Sequence, residues 1–232
     1  MVIDQTTLFD DKLKRSIKEN LWDNLKPNTA FTVVRFSAFS QGRYTEVVNA
    51  GLIEPPLPDK ARDDTGTKLL AKFDTCMAAQ LRFARELAVK AVDASLGAAS
   101  GDLAKSDILA ALKDISSRVK ASPAKARLVL LASDMLENSS VTSFYGANNR
   151  VRLIDPAREL AAVDKAGLFG SFGQATVHVV GAGLIGPAAN GNNSYREPQA
   201  LGALNAFWTQ YLAKSGATLA QFGTPALLNP VR

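Results

Sequence analysis

Leu128-Val129-Leu130-Leu131-Ala132 is the segment that most restricts what this chain can fold into. With Arg127 before it and Ser133-Asp134 after it, the run is apolar at every position. A strand with one wet face alternates apolar and polar residues. A continuous apolar run is how a parallel strand buried on both faces looks. Such strands need helices above and below, so the run calls for an α/β sheet rather than a sandwich or a bundle.

The rest of the chain reads in the same terms. Val2-Ile3 is a very short first strand. Leu8, Leu13, Ile17, Leu21, Trp22 and Leu25 recur at helical spacing until Pro27-Asn28 stops them. Two β runs follow, Thr29–Ala38 and Arg43–Ile53, separated by the turn at Gln41-Gly42. They predict a hairpin whose second strand is an antiparallel edge. Glu54-Pro55-Pro56-Leu57-Pro58 opens a polar connection as far as Gly66. Neither flank could build a core alone, so residues 1–232 read as one domain with a long surface connection.

Lys68–Leu96 predicts a long helix. Its stripe of Leu69, Leu70, Phe73, Met77, Leu81, Ala84, Ala88, Ala91 and Val92 is expected to face the core. Cys76 lies in this pattern and reads as a small buried apolar residue. A second helix opens at Ser106, a good N-cap residue, and carries Ile108, Leu109, Leu112, Ile115 and Val119 on one side. Met135–Arg152 reads as a long polar loop. Asp155-Pro156 caps a helix to Ala166, Ala175–Val180 is a strand, Glu197–Ser215 a helix, and Thr218–Phe222 a last strand. The order β-α-β-β-α-α-β-α-β-α-β predicts a three-layer, doubly wound, mostly parallel sheet with one antiparallel edge strand.

Composition narrows the function. The chain has 232 residues, 47% hydrophobic and 21% charged, enough for a substantial core. With 27 basic and 22 acidic residues the net charge is +5, and the charges are scattered. No cluster of Lys and Arg with interleaved aromatics marks a nucleic-acid groove, so the charge gives only a lean toward acidic partners, and a basic accessory protein touching nucleic acid is a third reading behind the two that follow. One cysteine excludes an internal disulfide, and one histidine, His178, excludes His-rich zinc sites. No apolar stretch is long enough for a membrane span. Met1-Val2-Ile3-Asp4 meets polar residues at once and is no signal peptide, so a cytoplasmic location is the expectation.

Ligands on doubly wound sheets bind beyond the carboxyl ends of the strands. Asp4 and Thr6 follow the first strand, Asp134 follows the apolar run, and Ser106 opens a helix. Their oxygens suit a hard cation such as Mg²⁺. The arrangement resembles the von Willebrand factor A domain, shared with integrin inserted domains. Asp4-Gln5-Thr6-Thr7-Leu8 resembles that family's first metal-site loop, with Leu8 where a second hydroxyl is expected. Lys105-Ser106-Asp107-Ile108 resembles the second loop, and Ser133-Asp134 the third. Phe207-Trp208 and Ser215-Gly216-Ala217 resemble the close of such domains. The resemblance implies a non-catalytic, bacterial-style interaction module. It would hold Mg²⁺, or Mn²⁺ as a substitute, on Asp4, Thr6, Ser106 and Asp134, and accept a carboxylate from an unidentified protein partner.

One motif points elsewhere. Gly181-Ala182-Gly183-Leu184-Ile185-Gly186 spells G-x-G-x-x-G after a strand and invites a nucleotide-binding or enzymatic reading. Pro187 and a polar run follow it, and no acidic ribose partner lies about 20 residues on. The glycines read instead as a sharp strand exit. His178, in mid-strand between Val177 and Val179, reads as packed rather than catalytic. Asp10-Asp11 and Asp63-Asp64 read as solvated pairs. Phe144 and Tyr145, in the loop after Asp134, are candidates for an exposed recognition rim or, equally, for loop packing.

Overall fold

A computed structural model describes the chain except residues 41–42, 101–105, 147–150, 185–196 and 232, and the side chains of 38–40 and 43–44. Its elements are β1 (Val2–Asp4), α1 (Asp11–Asn24), β2 (Thr29–Ser40), β3 (Arg43–Ile53), α2 (Asp59–Asp63) and α3 (Thr67–Gly97). There follow α4 (Ile108–Ala121), β4 (Leu128–Ala132), α5 (Pro156–Lys165), β5 (Ala175–Val180), α6 (Pro198–Lys214) and β6 (Ala217–Gly223). The six strands form one sheet in the order β3-β2-β1-β4-β5-β6. Every neighbouring pair is parallel except β2–β3, so β3 is the antiparallel edge.

From Val129 to Ala132 the apolar run of β4 is buried on both faces, as its lack of alternation requires; Leu128, at its start, is 40% exposed. Val129 and Leu131 face one core with α4, α5 and α6, including Leu109, Leu112, Leu160, Phe207 and Trp208. Leu130 and Ala132 face the other, with Leu13, Ile17 and Leu21 of α1 and Ala88, Val92 and Leu96 of α3. The chain leaves β1 through α1 on one face and β4 through α5 on the other. Strand order therefore reverses between β1 and β4, which places a crevice at their carboxyl ends. The register Val2↔Leu131 and Ile3↔Ala132 brings Asp4 level with Ser133.

Four local readings need correction. Of the stripe on α3, only Ala88, Ala91 and Val92 are buried, and Leu69 is 65% exposed. Leu70, Phe73, Met77, Leu81 and Ala84 are half-buried, so the stripe loses cover toward the amino end of α3 rather than facing the core along its whole length. Cys76 lies in the amino-terminal half of α3 and is exposed, not buried. The polar connection contains α2, anchored by the Arg62–Asp74 ion pair at 2.8 Å. Asp10 is more than a solvated carboxylate: its Oδ1 accepts from Leu13 N at 2.8 Å as the N-cap of α1.

Candidate functional site

Asp4 is the last residue of the three-residue β1 and has no solvent exposure. Four donors converge on its carboxylate. Thr6 N and Thr6 Oγ1 donate to Oδ1 at 2.9 and 2.6 Å. Ser133 Oγ donates to Oδ2 at 2.7 Å and Ser106 Oγ at 3.4 Å. The first pair is an Asx-type turn that lifts the chain off the strand. The second pair ties three sequence-distant loops to one carboxylate.

Asp134 lies one residue beyond Ser133 and is 5% exposed. Its Oδ1 accepts from Leu136 N at 2.8 Å and its Oδ2 from Tyr145 OH at 3.3 Å. Its own amide donates to Thr7 Oγ1 at 3.1 Å, joining the β4 exit to the β1 exit. Met135 then adopts φ +60, a conformation a non-glycine residue rarely takes. It is held there by Met135 N to Ser133 Oγ at 3.0 Å and by Trp208 Nε1 to Met135 O at 2.9 Å. Strain of this kind persists only where packing over-determines it, and it gathers at functional sites.

The electrostatics follow from burial. Desolvation raises the pKa of Asp4, opposed by the hydroxyl and amide donors from Thr6 and Ser133. Desolvation raises that of Asp134 further, with the Asp4 charge adding to it. Two buried like charges beside each other are costly without a neutralising partner. Glu137, three residues on, has no solvent exposure; its Oε2 accepts from Leu109 N at 2.9 Å at the start of α4. Burial lifts it to about 8.

The four sequence candidates thus come together. Ser106 differs from its expected local role: Asp107, not Ser106, is the N-cap residue of α4, and the Ser106 hydroxyl points to Asp4. Leu8 is 43% exposed and turned away. Sequence reasoning left Ser133 and Thr7 out of the site. The register of β1 against β4 puts Ser133 beside Asp4, a relationship no local pattern carries. Of the two readings of the aromatic pair, loop packing holds. Phe144 is fully buried, edge-on to Phe207 at 4.9 Å, and Tyr145 turns its hydroxyl onto Asp134.

Among the described residues, no three His, Cys, Asp or Glu side chains gather in one place. A cation at this edge would therefore depend on hydroxyls as well as on the two carboxylates. The donor set has the right chemistry: oxygen only, with the Thr6 and Ser106 hydroxyls donating to Asp4 and the lone pairs of those two oxygens left for a ligand.

The glycine-rich exit sits against this site. Gly181 (φ +100) would drive a Cβ to 2.6 Å from Phe9 and 3.1 Å from Ser133 O. Gly183 (φ +69) would drive one into Leu201. The amides of residues 181–184 are spent on Pro225 O, Gly223 O, Asp134 O and Gly181 O. None is left over to cradle a phosphate. Ile185, Gly186 and the run after them lie outside the described residues, as does Lys105. His178 is 5% exposed, with Nδ1 3.2 Å from Gln221 Nε2, and no acid or hydroxyl partner for triad chemistry contacts it among the described residues.

No family model, curated protein or solved structure matches the chain. Among the described residues no helix is long and apolar enough to cross a membrane.

Proposed function

We propose that the chain is a non-catalytic protein-interaction module of the von Willebrand factor A type, which engages an acidic residue of a protein partner through Mg²⁺. Asp4, Thr6, Ser106 and Asp134 would hold the ion, and Mn²⁺ would substitute. The observation that carries this reading is the direction of the hydroxyl protons. Thr6, Ser106 and Ser133 all donate to Asp4; the Thr6 and Ser106 oxygens keep their lone pairs for a ligand, while Ser133 Oγ also accepts from Met135 N. The ion would supply the positive charge that two desolvated carboxylates lack, and an open coordination position for the partner. Thr6 is the half-buried member, the one through which this edge meets solvent.

Support also comes from position. The site lies where strand order reverses, at the carboxyl ends of β1 and β4, where ligands bind on such sheets. Binding to the folded state alone raises stability by linkage. Mg²⁺ or Mn²⁺ should raise the melting temperature, and Asp134→Ala should abolish the rise. Absence of a shift in the wild-type protein would sink the metal reading. A pulldown with wild type and Asp4→Ala in parallel then tests whether a partner depends on the same edge.

A further inference from the structure

A second feature lies at the opposite end of the sheet, around the amino ends of β1 and β4. There α1 and α4 run out and leave a cavity of about 260 Å³. Its walls include Leu21 and Leu25 of α1, Val34 of β2, Ile115 and Val119 of α4, and Val129 of β4. Among its described lining residues there is no Asp or Glu, and the charged side chains are Arg118 and Arg127. At ~30 Å³ per water-sized group, the space suits a molecule of roughly nine such groups.

Arg127 is the unusual member. Its Nη1 donates to Gly173 O at 3.0 Å and its Nη2 to Ser122 O at 2.8 Å. These neutral carbonyls fix the guanidinium plane without cancelling its charge. Its Nε is buried and has no partner. No ion pair among the described residues includes it, whereas Arg118 stands 3.7 Å from Asp114. A partly desolvated, pre-oriented guanidinium beside apolar walls is half of a charge-assisted pair.

We propose that this cavity binds a small amphiphilic carboxylate, with its apolar body against Leu21, Val34 and Val119 and its carboxylate on Arg127. The proposal does not depend on the function assigned to the Asp4 edge. A neutral apolar ligand would leave the Arg127 charge uncompensated, and a cationic one would be repelled by it.

The test is calorimetric titration of the full chain with octanoate, 1-octanol and acetate at fixed ionic strength. Octanoate should bind with a Kd of about 1 mM or tighter, a reasonable yield for some ten heavy atoms. Octanol should bind roughly tenfold or more weakly, and acetate should not saturate, because charge and apolar body are both needed. Arg127→Gln should bring octanoate down to the octanol level. Thr32→Trp, at an exposed position of the lining, should block both. No saturable octanoate binding, or equal affinity for octanoate and octanol, overturns the proposal. So does an unchanged octanoate affinity in folded Arg127→Gln. If that variant does not fold, the wild-type octanoate-to-octanol ratio and the Thr32→Trp block decide the matter.

Discussion

Ser133 Oγ donates to Asp4 Oδ2 at 2.7 Å, linking two residues 129 positions apart at the reversal point of the sheet. The same hydroxyl accepts from Met135 N at 3.0 Å, so one side chain holds both the buried carboxylate and the strained backbone after it. Ser133→Ala removes the donor and strands the acceptor. Unfolding by urea should show a loss of about 1–3 kcal/mol, and a loss below the scatter of surface substitutions would refute this role for Ser133.

Asp134 is raised in pKa by burial and by the Asp4 charge. Replacing it with Asn keeps the shape and removes one of the two like charges. Without added cation, Asp134→Asn should melt at or above the wild-type temperature at pH 7. With Mg²⁺ the order should reverse, since only the wild type gains from the ion. Thermal scans with Mg²⁺ and with a chelator measure both, and a parallel response of the two proteins would count against the metal reading.

Glu137 makes stability depend on pH. Its ordinary value is 4.5 and burial raises it to about 8 in the folded chain. Below pH 4.5 both states hold the proton and the contribution is complete. As pH rises toward 8 the unfolded chain ionises first, so stability falls through that window. Glu137→Gln stays neutral and keeps an oxygen for Leu109 N. Its urea midpoint should fall less than that of the wild type between pH 5 and pH 8. Identical slopes would mean that Glu137 is not the source.

Helix α3 offers a contrast along one stripe. Leu69 is 65% exposed in the first turn of α3, while Val92 is fully buried in the core. Leu69→Ser should change stability by no more than about 0.5 kcal/mol. Val92→Ala should cost roughly 1–3 kcal/mol. Similar losses at the two positions, measured by chemical denaturation, would contradict this gradient of burial along α3.

Gly183 combines φ +69 with a site where any Cβ runs into Leu201. Gly183→Ala should therefore destabilise by more than about 1 kcal/mol. Because Gly183 N donates to Asp134 O at 2.7 Å, it should also weaken any cation response. Far-ultraviolet circular dichroism with and without Mg²⁺ reads the two effects separately.

Element type was legible in the sequence because periodicity is a local property. The unbroken run of β4, the hairpin after Pro27, the Asp155-Pro156 cap and the glycine exit each follow from neighbours a few residues apart. The oxygens of Asp4, Thr6, Ser106 and Asp134 could be placed at strand and helix ends for the same reason. Only the tertiary structure decided how those oxygens meet. The rung that sets Asp4 beside Ser133 comes from pairing β1 with β4, and Thr7 joins through the Asp134 amide just beyond that second strand. The fate of Cys76 and Leu69 was likewise out of local reach. A stripe along a helix shows which face is apolar, but how much of that face is covered depends on elements elsewhere in the chain.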